Sequence, residues 1–291
     1  MPSTRRTLLA GAAAALAGCV SGRRDPGTND DTPAPTTTEP PDDATLDFGE
    51  TATVGDLSVQ PTDATVQHSY VALVYPDFAD VVTADGGQFL FLTVDVGGTA
   101  DAPAPSDFRV ATDGASYEGR NRGESGYPYR DGAAYTRDGK HGWILYDVPS
   151  PVESERVALE LGEDETATWR LPDDVVARLR GPPPSFEVRD FSAPDSVRPD
   201  EPIEVSATVA NVGEGPGTFR GSLNQEGDAL YGADPFSFDL EAGAEREWTG
   251  TVTTHQRSDL DSQLTVRLRF RSAGGDADRD VVVRPPGTTT G

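Results

Sequence analysis

What most narrows the folds open to this chain is a two-residue alternation of apolar side chains. It recurs in short runs from Thr45 onward and is broken each time by Gly, Asp or Pro. The clearest run is 88–96, QFLFLTVDV. There Leu90, Leu92, Val94 and Val96 share one face, and Phe89, Phe91, Thr93 and Asp95 share the other. Successive side chains of a strand point to opposite sides of a sheet, so the Leu/Val face reads as core. Similar runs predict strands at 51–54, 57–60, 70–75, 108–112, 142–148, 156–161 and 167–171, with a short helical turn at 76–82 and a long polar surface loop at 118–141. The best helix candidate is 172–180. Pro172 suits an early helical position, Asp173 and Asp174 sit at the positive end of the dipole, and Val175, Val176 and Leu179 share a face. Arg178 and Arg180 close the helix, and Gly181 can cap it.

Pro182, Pro183 and Pro184 then stop regular structure, so a linker is expected at 182–185. Beyond it, strands are predicted at 186–191, 203–211, 217–224, 236–240, 245–254, 264–271 and 280–284. Ile203, Val205, Ala207 and Val209 alternate with polar residues, as do Leu264, Val266, Leu268 and Phe270. Short strands at this spacing over about 100 residues indicate an immunoglobulin-like sandwich. The length of 291 residues suits two domains, here 45–181 and 186–284, with a disordered tail at 285–291. The fold class read from the sequence is all-β: two immunoglobulin-like β-sandwich domains behind a signal peptide and a disordered stalk.

Charge limits the partners. Acidic residues number 49 against 24 basic ones, a formal net charge of −25, which excludes a nucleic-acid binder because phosphate binding needs clustered Lys and Arg. Lys140 is the only lysine. An acidic surface protein of an ordinary organism is one reading. Acid spread over the whole chain together with the loss of lysine favours an extreme halophile, whose salt screens self-repulsion. Stability is then expected to fall as salt is removed.

The amino end reads as an address. Arg5 and Arg6 precede an Ala/Leu-rich stretch at 8–17, about half the length needed to cross a bilayer. The paired arginines match the signal read for export of folded proteins. Leu16-Ala17-Gly18-Cys19 resembles the lipobox of prokaryotic lipoproteins, in which the cysteine becomes the lipidated first residue. The expectation is a twin-arginine lipoprotein signal peptide at 1–18, with membrane lipid attached through Cys19. Residues 19–44, rich in Pro, Thr and Asp, read as a stalk that cannot bury a core. The protein would be exported and anchored to the outer face of the cytoplasmic membrane. With Cys19 lipidated and Met1 removed, thiol catalysis and a blue-copper centre are excluded.

Two further resemblances follow from particular residues. Pro202-Ile203-Glu204-Val205 and Asn211-Val212-Gly213 make 193–222 resemble the CARDB family, the cell-adhesion-related domain of prokaryotes. The Asn-x-Gly step suits a turn that needs positive φ. Gly55–Val59, the strand 88–96, Pro105–Thr112 and Trp143–Pro149 make 46–171 similar to the telokin-like, immunoglobulin-like domain of prokaryotic surface lipoproteins. The family's "V-x-N" step reads Val96-Gly97-Gly98 here. Both resemblances imply a fold, and neither implies a functional residue.

Chemistry is sparse. His68, His141 and His255 show no metal-ligand spacing, and each suits a surface or turn position. No Walker loop, dinucleotide fingerprint or nucleophile elbow occurs. No catalytic residue, metal site or cofactor is expected. Asp276, Asp278 and Asp280 could form one arm of a calcium loop, though a hairpin turn after Gly274-Gly275 is the simpler account. Asp259 and Asp261 read as a solvated loop, and Asp173 and Asp174 as a helix N-terminus. The remaining candidate is the aromatic and basic loop: Tyr117, Arg120, Arg122, Tyr127, Tyr129, Arg130, Tyr135 and Trp143, types that binding hot spots use. A loop covering one end of the sandwich with its own tyrosines is the alternative. The function expected is a non-catalytic binding or adhesion module for an extracellular protein or glycan. A scaffold subunit of an envelope transport or secretion complex is the alternative, and an unrecognised hydrolase a more remote one.

Overall fold

The alternation at 88–96 becomes the strand Gly87–Gly98 in a computed structural model that describes residues 45–284 apart from 75–76, 85, 124–125, 163–166, 200, 228–229 and 254–262. Arg5, Arg6, Cys19, the stalk, His255, Asp259, Asp261 and the tail lie outside the described residues. The first strands are β1 (Leu46–Asp47), β2 (Ala52–Val54), β3 (Leu57–Gln67), β4 (Ser69–Val74), β5 (Phe78–Thr83) and β6 (Gly87–Gly98). Next come β7 (Phe108–Thr112), β8 (Ser116–Glu118), β9 (Tyr127–Pro128), β10 (His141–Pro149), β11 (Val157–Leu161), β12 (Ala167–Arg170) and the helix α1 (Asp173–Arg180). Then follow β13 (Phe186–Ser192), β14 (Ser196–Val197), β15 (Ile203–Asn211), β16 (Gly217–Gly227), β17 (Leu230–Leu240), β18 (Glu245–Val252), β19 (Leu264–Ser272) and β20 (Ala277–Val283). The fold is all-β, of sandwich type.

Two sheets, β1-β12-β11-β7-β8 and β10-β6-β3-β2, enclose the first core. Leu90, Leu92, Val94 and Val96 point into it against Phe108, Val110, Leu159 and Trp169. Trp169 is fully buried and donates its indole N–H to the Glu50 carbonyl at 2.9 Å, so its one polar atom stays satisfied. The first half of the other face of β6, Phe89 and Phe91, is buried too. A third sheet, β5-β4-β9, covers it, and Tyr70, Ala72, Phe89, Phe91, Trp143 and Leu145 form a separate apolar cluster there. Tyr70 meets Phe89 edge-on at 4.7 Å, and Phe91 meets Trp143 at 5.6 Å. Burying each of these rings contributes about 1.5–3 kcal/mol, which explains why this face of β6 carries Phe at 89 and 91, under the third sheet, and polar residues only at 93 and 95.

Helix α1 begins one residue later than expected. Pro172, with ψ 142°, caps it from outside, and Gly181 leaves it in extended backbone with φ −67°. Val175 and Leu179 are buried. The fully buried Gln88 amide on β6 donates to the Leu179 carbonyl at 2.7 Å and to the Pro149 carbonyl at 2.8 Å, which ties the helix end to the sheet.

Where a helical turn was expected at 76–82, Phe78–Thr83 form strand β5, paired antiparallel with β4. Strand β5 is the outer strand of its sheet, so the Ala79 amide and carbonyl face away from β4. Both are taken up by Asn224 of β16. The Ala79 N–H donates to Asn224 Oδ1 at 2.9 Å, and Asn224 Nδ2 donates to the Ala79 carbonyl at 2.7 Å. Asn224 is buried, so one side chain completes the hydrogen bonding of a covered sheet edge. Beside it, Phe78 meets Tyr231 edge-on, and the Arg269 guanidinium stands 5.7 Å from the Phe78 ring. The tertiary partner, not local propensity, decides this strand.

The second core lies between β13-β15-β18 and β14-β20-β19-β16-β17, around Ile203, Val209, Phe219, Val266, Leu268 and Phe270. The two cores occupy separate stretches, 52–179 and 197–283, on either side of the proline run. That run is built into the second sandwich instead of spacing it. Asn211 Oδ1 accepts from the Ser185 N–H at 3.2 Å, the Val212 N–H donates to the Ser185 carbonyl at 2.7 Å, and the Gly215 N–H donates to the Pro183 carbonyl at 3.2 Å. A Cβ on Gly213 would stand 2.3 Å from Ser185 N, and one on Gly215 would stand 1.8 Å from the Pro182 carbonyl. The Asn-x-Gly step therefore serves close approach of two backbones. Gly98, by contrast, combines φ +105° with a Cβ position 2.1 Å from the Asp56 carbonyl, so only glycine fits at this corner. Lys140 turns inward against this corner and donates to the Gly98 carbonyl at 2.9 Å.

Candidate functional site

Each residue of the aromatic and basic loop can now be placed. Tyr135 is fully buried and donates its hydroxyl to the Pro103 carbonyl at 3.0 Å, and burial pushes its phenol up to about 12. Trp143 is buried against Phe91 and donates its indole N–H to the Gly132 carbonyl at 3.2 Å. These two are corrections to the surface expectation, because both belong to the packing under the loop. Tyr117 packs half-buried on the first core. Arg120 bridges to Leu145 through its backbone, and its guanidinium pairs with Asp147 at 2.5 Å. Arg122 is exposed. Tyr127 and Tyr129 stand 66% and 60% exposed, far above what their ring size favours in a core, and Arg130 is half-buried. Only Tyr129 and Arg130 reach a concave surface shared with the second sandwich.

That surface is a cleft of about 400 Å³ between the two sandwiches. Gln67, Tyr70, Phe91, Tyr129 and Arg130 wall it on one side, and Arg220, Pro235, Phe236 and Ser237 on the other. Arg220 also borders a second cleft of about 410 Å³ with His68, Pro182 and Pro216. The second-sandwich wall was not foreseen from the sequence. Its signal there is faint: Arg220 interrupts small and apolar residues in Gly217–Ser222, which reads equally well as an ordinary exposed position of a strand.

The electrostatics are unusual for so acidic a chain. Arg130 stands over Phe91, its guanidinium carbon 4.1 Å from the ring centre and 6.0 Å from that of Trp143. Its Nε and Nη1 are buried without a hydrogen-bond acceptor among the described residues. Burial lowers the pKa of Arg130, against the pull of Asp63 and Asp131. Burial also lowers that of Arg220, with the Arg130 charge adding to it and Asp239 opposing. Arginine keeps its proton in proteins, so two cations line one cleft. Many of the other arginines are paired, among them Arg267 with Asp280 at 2.9 Å, Arg269 with Glu226 at 2.6 Å, and Arg271 with Asp278 at 2.7 Å. The same pairs account for Asp276, Asp278 and Asp280, which meet arginines of β19 across a hairpin instead of converging as a calcium arm.

His68 borders the second cleft, its Nε2 3.3 Å from the Ser150 hydroxyl. Burial first, and then the charge of Arg220, hold its pKa below the ordinary 6.5. The unfolded chain therefore binds a proton on acidification before the folded one does, and stability is lost as pH falls through 6.5 toward the folded value. Unfolding curves of the wild type and His68→Gln, compared between neutral pH and pH about 5, should show the smaller loss in the variant. Equal losses would refute this role.

No protein family and no curated protein matches the sequence. Among solved structures, a β-glucosidase from Listeria innocua in complex with isofagomine is similar over 35% of this chain, with 18% identity and a TM-score of 0.30. The chain spans only 16% of that enzyme's length. An uncharacterised β-sandwich protein from Clostridium difficile 630 overlaps over 46% of this chain and 100% of its own, with 15% identity and a TM-score of 0.29. The Pseudomonas fluorescens alkylpurine DNA glycosylase AlkC bound to DNA overlaps over 38% of this chain and 33% of its own, with 16% identity and a TM-score of 0.26. Likenesses this partial carry no information about ligand or chemistry.

Proposed function

We propose that this chain is an exported, lipid-anchored surface protein of a halophile that binds a ligand or partner at the cleft between its two sandwiches, without covalent chemistry. The supporting observation is the placement of exposed Tyr129 and half-buried Arg130 on one wall of a cleft whose other wall is Arg220 and Phe236. Aromatic and arginine side chains at the mouth of a concave surface are the usual anchors of recognition. The paired arginines Arg5-Arg6 and the lipobox ending at Cys19 support export and anchoring. The scaffold reading has its own support in Leu73, Val74 and Tyr127, apolar residues 39–66% exposed around the pairing of β4 with β9.

The test uses the full chain recovered from membranes in high salt. Cys19→Ser should move the protein to the soluble fraction, and retention on the membrane would overturn the anchor. Any partner recovered with the wild type should be lost from a folded Tyr129→Ser variant if the cleft binds it. Loss only from Leu73→Ser would favour the scaffold reading.

A further inference from the structure

We propose that the cleft between the sandwiches is an oxyanion site, in which Arg130 and Arg220 together hold a carboxylate, sulfate or phosphate group of the ligand. The inference rests on the reading of this cleft as the binding site and adds the chemical class of what it takes. Three observations converge on it. Neither guanidinium forms an ion pair among the described residues, in a chain with 49 acidic residues to choose from and in which arginine after arginine is paired. Two like charges line one cleft of about 400 Å³, where each raises the cost of the other and both are relieved by one bound anion. Finally, the Arg130 guanidinium stands over the Phe91 ring, 4.1 Å from its centre, and not against a carboxylate.

A planar guanidinium presents parallel N–H donors that match the two oxygens of a carboxylate or two of a tetrahedral oxyanion, and the ring beneath Arg130 restricts how that group can turn. Arg220 supplies the second charge from the opposite sandwich, and Tyr129 and Phe236 provide flat apolar surface for whatever carries the anionic group. The overall charge of −25 opposes approach of an anion from a distance. At molar salt the screening length is about 3 Å, so that long-range repulsion vanishes while contacts inside the cleft are screened far less.

The experiment is calorimetric titration of the full chain in detergent at fixed molar KCl with glucuronate, sulfate and phosphate, and with glucose as the neutral control. At least one oxyanion should bind saturably and glucose should not. Arg220→Gln should weaken that binding about tenfold, the effect of losing one charge-assisted contact. Arg130→Lys, which keeps the charge and loses the planar fork, should weaken it as well, and unfolding curves confirm that each variant is folded. Which probe binds tightest separates a sugar acid from an inorganic anion. Absence of saturable binding by all three anions, or unchanged affinity in folded Arg220→Gln, overturns the proposal. If no oxyanion binds while a partner is still lost with Tyr129→Ser, the cleft remains the binding site and only its anionic chemistry is refuted.

Discussion

Replacing Asn224 by alanine is expected to destabilise the full chain by about 3–5 kcal/mol, since it strands two buried backbone groups at once and each costs about 1–3 kcal/mol. The Ala79 N–H and carbonyl lie on the covered edge of β5, and the Asn224 amide satisfies both, at 2.9 and 2.7 Å. No backbone strand stands ready to replace it, because Asn224 itself sits on a strand already paired on both sides with Ala233 and Arg269. The consequence reaches the cleft. Arg220 lies on the same strand, β16, while Arg130 belongs to the first sandwich, so the distance between the two guanidinium groups depends on how β5 seats on β16. Asn224→Ala should therefore weaken oxyanion binding although Asn224 does not line the cleft. Chemical unfolding of the full chain in high salt, alongside the calorimetric titration, checks both parts. A loss below about 1 kcal/mol would mean that the junction is held by the rings of Phe78 and Tyr231 and not by the amide.

Asn211→Ala should cost about 3–4 kcal/mol, for a related reason at the other end of the junction. The Asn211 side chain is buried and uses its full bonding capacity. Its Oδ1 accepts from the N–H groups of Ser185 and Gly213, at 3.2 and 3.1 Å, and its Nδ2 donates to the carbonyls of Gly215 and Leu240, at 2.9 and 3.1 Å. One side chain thus locks the proline linker, the following turn and the end of β17 together. Asn211→Asp is the discriminating variant. Aspartate can accept both N–H bonds, but it cannot donate to the two carbonyls, and it would bury a charge beside them. It should be no more stable than the alanine variant. Stability near wild type for Asn211→Asp would show that the donor half of the amide contributes little.

The two asparagines show where sequence reading stops. Asn224 ends a predicted strand and Asn211 opens the Asn-x-Gly turn, and neither position by itself names a partner. Their value comes from backbone groups that are distant in sequence: Ala79 for Asn224, and Ser185 and Leu240 for Asn211. Gly213 of the Asn-x-Gly step was assigned to positive φ, the usual local reason, whereas the actual reason is the linker lying against it. The same limit governed the loop. Tyr135 is the same residue type as Tyr127 and Tyr129, and Trp143 is aromatic like them, so composition cannot separate anchors of a core from anchors of a ligand. Residue type sets how much a ring gains from burial, but the covering layer decides which rings are covered.

Some features were determined by the sequence alone. The period-two alternation set the strands, because the pleat of a strand places side chains on alternate faces wherever that strand later packs. The break at Pro182–Pro184 divided the two cores, because proline cannot donate to a ladder and disfavours helix in the residue before it. The acidic excess was legible as a count. Tertiary structure alone decided that 78–82 form a strand instead of a helical turn, that the phenylalanine face of β6 is covered by a third sheet, and that Arg130 and Arg220 share one cleft. These depend on contacts across more than a hundred residues in the case of Asn224 with Ala79, and a local pattern holds no record of which distant surface will arrive against it. The candidate site is of this second kind: its charges come from separate sandwiches, and only their docking brings them together.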